Sequence, residues 1–279
     1  MITTMLIENL KCPADDELVS ENGLSMHISH NGHNVLFDAG NSDKFAKNAK
    51  KMGISLKDVD AAVMSHGHKD HTNGLSKFLS INDYAKIYIK KSAFDDLLIN
   101  YKVFKRKIGT DQRILEEHMD RFVFVDSFME ILPDFYLLTD FKNKYPKNEF
   151  NSIYMKKMDG RAVPDDFDHE MCMVLKMEKG LSVYTGCAHA NILNMLDSVT
   201  KIFPDTRIRT VMGGLHLVGI PIFSEENAKG IHEIGEGLLS FNVKSTHTCH
   251  CTSRRGYRAL KEVMHEKVSY FFTGSQVEL

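Results

Sequence analysis

The chain of 279 residues has no tryptophan, six prolines, five cysteines and no excess of either charge: 35 Lys and Arg stand against 37 Asp and Glu, a formal net charge of −2. Each scarcity removes a class of protein. Near-neutrality leaves no basic face of the kind that neutralises phosphate backbones, so a small-molecule substrate is expected and nucleic acid is not. Five cysteines, Cys12, Cys172, Cys187, Cys249 and Cys251, cannot all pair and are too scattered for a disulfide framework, which predicts reduced thiols. No stretch reaches the roughly eighteen apolar residues of a membrane helix, and Met1-Ile2-Thr3-Thr4-Met5 lacks the basic start and small-residue cleavage site of a secretory signal. A cytoplasmic protein without a membrane partner is expected. There is no internal repeat and no low-complexity tract.

Histidine is what the chain does have, fourteen in all, several beside Gly, Asp or Cys at the ends of apolar runs. With 43% hydrophobic and 26% charged residues, the length suits one large α/β domain, here 1–279, with a sizeable core and room for homo-oligomerisation. Met5-Leu6-Ile7, Leu24 to Ile28 and Asn34 to Phe37 read as short strands divided by Glu21-Asn22-Gly23 and Asn31-Gly32-His33. Phe45, Ala46, Ala49 and Met52 repeat at helical spacing before Gly53. Strand patterns return at Val59 to Met64, Ile87 to Ile89, Phe122 to Val125, Met173 to Leu175, Leu181 to Tyr184, Ile208 to Met212 and Val268 to Phe272. Helical patterns lie at 75–79, 91–98, 190–202, 224–240 and 254–265. The charged, helix-prone stretch 100–121 and the polar stretch 140–170 interrupt core-like elements and read as lid insertions over a site.

The chemistry concentrates in His66-Gly67-His68-Lys69-Asp70-His71. Three imidazoles and a carboxylate follow a buried strand, where a loop can turn them toward one point. The i, i+2 pair His66 and His68 can clamp one divalent ion, and Asp70 with His71 can hold a second a few ångströms away. Zinc accepts these ligands, with manganese or iron as alternatives.

Ser65 to His71, followed by Gly74-Leu75 and preceded by Leu36-Phe37-Asp38-Ala39-Gly40, resembles the metallo-β-lactamase superfamily, which implies an αββα sandwich of two mixed sheets with helices outside. Gly23-Leu24-Ser25, Thr185-Gly186-Cys187-Ala188-His189-Ala190-Asn191, Gly213-Gly214-Leu215-His216 and His250-Cys251-Thr252 are similar to a branch of it. That branch is named for an archaeal synthase joining a dihydropterin to an aminobenzene ribofuranosyl phosphate. The resemblance implies that His66 and His68 share one ion with His189, and that Asp70 and His71 share the other with His250. His247 is a neighbouring rival to His250 outside the branch motif. Where the superfamily usually has a bridging aspartate this chain reads Gly186-Cys187. Cys187 stands in that place, or the place is filled by His216 or by Asp168-His169-Glu170.

The expected activity is hydrolysis of a small, ester or phosphoester-type substrate by a hydroxide held between the ions, with Asp70 at the centre, Asp38 orienting it from behind and His216 facing the substrate. Transfer of the dihydropterin is the alternative, and a non-catalytic metal or ligand sensor the second. Arg254 and Arg255, opening a helix after His250, could hold a phosphate. The Cys249 and Cys251 spacing does not suit a structural zinc knuckle.

Overall fold

The structure, a computed structural model, describes residues 1–11, 17–101, 104–147, 149–217 and 225–279. Cys12 and Ser224, the latter expected to start a helix, lie outside the described residues, as do 102–103 and 148 of the two expected insertions. The chain divides into two compact units: Met1–Asp126 with Ile153–His169 and Phe272–Leu279, and Ser127–Ser152 with Glu170–Phe271.

The first unit is built on a seven-stranded mixed sheet in the order Gln276–Glu278, Ile2–Ile7, Ser25–His30, His33–Phe37, Ala61–Val63, Lys86–Ile89, Phe122–Phe124. Its tight hairpin follows from sequence: His30 pairs with His33 across Asn31 and Gly32, whose φ values of 48° and 83° are those that Asn-Gly adopts most readily. From His33–Phe37 onward the strands run parallel, so their C-terminal ends share one edge. Helix Lys44–Lys51 buries Phe45, Ala46 and Ala49 against Leu36, Ala62, Met64 and Ile87, and stops where Gly53 takes φ 72°. A four-stranded antiparallel sheet, Arg161–Pro164, Tyr154–Met158, Leu97–Asn100, Lys105–Lys107, completes the unit.

The second unit carries another seven-stranded sheet: Val268–Tyr270, Ser245–Thr248, Ile208–Gly213 and Gly180–Thr185 run parallel, and Cys172–Met177, Phe135–Leu138 and Met129–Leu132 continue it antiparallel. Helices Ile192–Ile202, Glu225–Ser240 and Ser253–Met264 contribute Leu193, Leu196, Leu238 and Leu260 to a core with Val183 and Val211. Asn191 starts the first of them, its side chain accepting the Leu193 N–H.

The mixed α/β class predicted from the motifs is what the chain forms. Local assignments differ in places. The helix expected over 91–98 is a 3₁₀ turn, Lys91–Phe94, followed by strand Leu97–Asn100, because Leu97, Leu98 and Ile99 find partners in Tyr154–Lys156 far along the chain. Among the described residues of 100–121 only Gln112–Glu117 is α-helical, and those of 140–170 include two strands of the small sheet.

Candidate metal centre

In the first unit the motif leaves strand Ala61–Val63 and enters the short helix Lys69–Thr72, with His68 at its N-cap. Fully buried Asp38, at the end of the adjacent parallel strand and with φ 58°, organises it. Its Oδ1 accepts the Ser65 N–H at 2.7 Å; its Oδ2 accepts the Ser65 hydroxyl at 2.7 Å and His71 Nδ1–H at 2.7 Å. With its proton directed at Asp38, Ser65 Oγ accepts His66 Nδ1–H at 2.9 Å. One carboxylate thereby fixes the tautomers of two imidazoles and leaves Nε2 of each as the lone-pair nitrogen.

His66 Nε2 faces His68 Nδ1 at 3.0 Å, the separation of two donors that can share one cation. Burial lowers the His68 pKa to about 3, with the His169 imidazole adding in the same direction, so the ring is neutral and able to ligate at ordinary pH. Buried imidazoles whose Nδ1 atoms are engaged through one carboxylate fit a divalent metal. Asp70 is half-buried beside them; its carboxylate accepts from Asn22 Nδ2 at 3.4 Å and its carbonyl from Leu24 N–H at 3.2 Å. A Cβ on Gly23 would lie 2.7 Å from that carbonyl, and one on Gly74 only 1.9 Å from Ala39 O, which is why both positions are glycine.

Both expected insertions contribute residues beside this loop within the same unit. Lys69 N–H donates to Ile108 O at 2.7 Å and Thr110 N–H to Gly67 O at 2.9 Å. The Tyr154 ring stacks on His68 at 5.2 Å. His169 accepts the Gly67 N–H at Nδ1 (3.2 Å), so its Nε2–H donates to Asp165 Oδ2 at 3.2 Å. Burial pushes the Asp165 pKa up; the hydrogen bond and charge of His169, the Phe167 N–H and the His68 imidazole together overcome it and hold the carboxyl low. Asp165 and Tyr154 carried no signal in the sequence, having neither motif nor spacing. Asp168, half-exposed, pairs with Lys156 at 3.1 Å.

In the second unit the loops after three neighbouring parallel strands carry the other histidines singled out in the sequence. His189 follows Gly180–Thr185, His216 follows Ile208–Gly213, and His250 opens the 3₁₀ turn after Ser245–Thr248. Asn151 Nδ2 donates to His189 O at 2.7 Å, which orients the amide so that its Oδ1 accepts His189 Nδ1–H at 3.0 Å and leaves Nε2 as the lone-pair nitrogen. Glu170 receives the N–H groups of His189 (2.8 Å) and Ala190 (2.7 Å). The His189 and His216 rings lie 4.1 Å apart, and both side chains are buried, as is His250. His247 is a strand residue instead, its Nδ1 2.8 Å from Ser269 Oγ. Arg254 and Arg255 are exposed on the first turn of Ser253–Met264.

Cys251 gathers with Cys187 and His216, their ligating atoms all within 4.8 Å of one another. Burial would raise the Cys251 pKa, but hydrogen bonds with Cys187 and His216 and the nearby His250 and His216 imidazoles bring it well below the usual thiol value.

The sequence model of the metallo-β-lactamase superfamily matches residues 21–199, from before Gly23 to within helix Ile192–Ile202. The chain belongs to that superfamily. A crystal structure of a metal-dependent hydrolase of the β-lactamase superfamily matches it with a TM-score of 0.83 and 27% identity, covering 100% of this chain and 99% of that one. The 7,8-dihydropterin-6-methyl-4-(β-D-ribofuranosyl)-aminobenzene-5'-phosphate synthase of Methanocaldococcus jannaschii is 28% identical over 261 residues, 88% of this chain and 85% of the synthase. The fold also matches the crystal structure of Zn2+-bound PqqB from Methylobacterium extorquens, at a TM-score of 0.57 and 11% identity over the whole of both chains.

These matches establish the metallo-β-lactamase fold named from Ser65 to His71 and the kinship with the synthase branch. Superfamily members generally bind metal ions, and each unit of this chain holds groups of His, Cys and Asp side chains able to do so. Among the described residues no helix is long and apolar enough to cross a membrane.

Proposed function

We propose that the whole chain, 1–279, works as one metallo-β-lactamase-fold domain: a cytoplasmic, dinuclear metal-dependent hydrolase of a small ester or phosphoester. In this reading His66, His68 and His189 hold one ion and Asp70, His71 and His250 the other. Zinc comes first, with manganese or iron as alternatives. Bound there, the ions would supply Lewis acidity and a water whose pKa is lowered to about 7.

The observation that supports the reading is the Asp38 network, which engages Nδ1 of His66 through Ser65 and Nδ1 of His71 directly, so that Nε2 of each is the nitrogen turned to a metal. Asn151 does the same for His189. His169 and Glu170 hold the backbone at Gly67 and at His189 and Ala190. Ile108, Thr110 and Tyr154 beside the motif support a role for 100–121 and 140–170 in covering a bound substrate.

The test is metal analysis coupled to a screen of phosphodiesters, lactones, thioesters and pterin phosphates. Expected are turnover by the loaded protein, and joint loss of metal and turnover in His68→Ala and His71→Ala. Undiminished turnover after complete chelation would sink the proposal. Kinship with the archaeal synthase favours a second reading, transfer of a dihydropterin to an aminobenzene ribosyl phosphate. Incubation with a dihydropterin pyrophosphate and that acceptor separates the two: a coupled product selects transfer, release of phosphate alone selects hydrolysis.

A further inference from the structure

We infer that the cavity beside helix Lys44–Lys51 is a second ligand site, built for an amphipathic organic anion of the acyl carboxylate kind. It lies wholly within the first unit, and no residue from Ser65 to His71 lines it. The inference does not depend on the hydrolase reading.

The cavity measures about 610 Å³, within the range of sites that enclose small molecules. Ala46, Ile54, Leu56 and Ile81 supply apolar wall. Lys47, Lys50, Lys57 and Lys77 line it from helix Lys44–Lys51, from the 3₁₀ turn Leu56–Asp58 and from helix Leu75–Leu79. The helical period sets this arrangement: Phe45 and Ala49 are spent on the core, while Lys47 and Lys50 fall on the exposed face.

The walls are fixed by backbone hydrogen bonds. Asn82, 1% exposed, donates through Nδ2 to Leu56 O at 3.1 Å, Lys57 O at 3.2 Å and Val59 O at 2.9 Å. Arg121 in turn donates to Asn82 O at 3.1 Å. The helix end is closed as well: the N–H groups of Met52, Gly53 and Ile54 donate to Asn48, Lys50 and Ala49 carbonyls at 2.9, 3.2 and 2.8 Å. Its negative pole is thereby masked, and the lysines set the sign of the field. A Cβ on Gly53 would meet nothing within 4 Å, so that side of the cavity is open.

Charge selects the class of ligand. Among the described residues Asp43 is the one carboxylate on the wall, and Lys47 engages it at 2.9 Å. That hydrogen bond and the charges of Lys47 and Lys77 hold its carboxyl below the usual range. Lys50, Lys57 and Lys77 form no ion pair with a described residue. No arginine lines the cavity, so recognition rests on point charge rather than on a planar fork. One anionic head answers the lysines, and the four apolar side chains with the lysine stems take an acyl body.

The test titrates the metal-loaded full chain with octanoate in a calorimeter. One octanoate per chain is expected, with 1-octanol and acetate each binding at least about 10-fold more weakly, since each lacks one half of the recognised group. Lys50→Gln and Lys77→Gln, both exposed, should each weaken octanoate about 2–5-fold, and the double variant more than either. Lys179→Gln, in the second unit, should leave it unchanged. His68→Ala should bind octanoate as the unaltered protein does, which separates this site from the proposed active site. Equal affinity for 1-octanol, lysine variants with undiminished binding, or loss of binding in His68→Ala would each overturn the inference. So would a different occupant: an octaglutamate peptide bound more tightly than octanoate, or a dimer of this chain that Lys50→Gln dissociates.

Discussion

At Asp38 three hydrogen bonds converge on one buried carboxylate, and through Ser65 and directly they reach His66 and His71. Asparagine tolerates the φ of 58° and can still accept the Ser65 N–H, but its amide nitrogen cannot accept from the Ser65 hydroxyl or from His71. Asp38→Asn is therefore expected to fold and to bind metal about 10–100-fold more weakly, read by competition with a chromogenic chelator. Unchanged affinity would remove Asp38 from this role. Its place at a strand end in Leu36-Phe37-Asp38-Ala39-Gly40 made Asp38 legible in the sequence. His169, Asn151 and Glu170 were not legible as supports. They act on Gly67, His189 and Ala190 from 102, 38 and 20 positions away, and only the folded chain brings such partners together.

The loop and short helices of the motif depend on how closely two backbone segments approach. The obstacle to a Cβ at Gly74 is a carbonyl 1.9 Å away, not the yielding end of a side chain. Gly74→Ala is expected to cost about 1–3 kcal/mol, seen as a lowered melting temperature together with reduced metal content. Strands and helices with clear periodicity, such as His33–Phe37 and Ile192–Ile202, could be read in advance. Ser245–Thr248 could not: Ser-Thr-His-Thr has no apolar alternation and becomes a strand because parallel neighbours satisfy it on both sides. That strand carries a pH response. Burial lowers the His247 pKa from its ordinary 6.5, so as pH falls below about 6.5 the unfolded chain takes up its proton first. Stability present above that value is lost as pH falls toward the folded pKa. His247→Gln should flatten the fall in melting temperature as pH drops below about 6.5, and an unaltered slope would show that His247 does not contribute.

Taken across the molecule, the first unit is closed by the two ends of the chain. Glu8 N–H donates to Thr273 Oγ1 at 2.9 Å across 265 positions. Met5 N–H donates to Ser275 O at 2.9 Å, Gly274 N–H to Met5 O at 2.8 Å, and Gln276–Glu278 pairs antiparallel with Ile2–Thr4. No local pattern announces such a pairing, since its partners lie at opposite ends of the sequence. It also makes the sheet depend on contacts of the greatest sequence separation, the kind that form late in folding. Deleting 272–279 would leave Ile2–Ile7 as an open edge whose residues from Thr3 to Ile7 are all buried in the intact protein. An exposed apolar edge strand pairs with other chains. The truncated protein should therefore melt several degrees lower and run as higher oligomers on size exclusion, whereas a monomer with unchanged melting temperature would show that the sheet stands without its last strand.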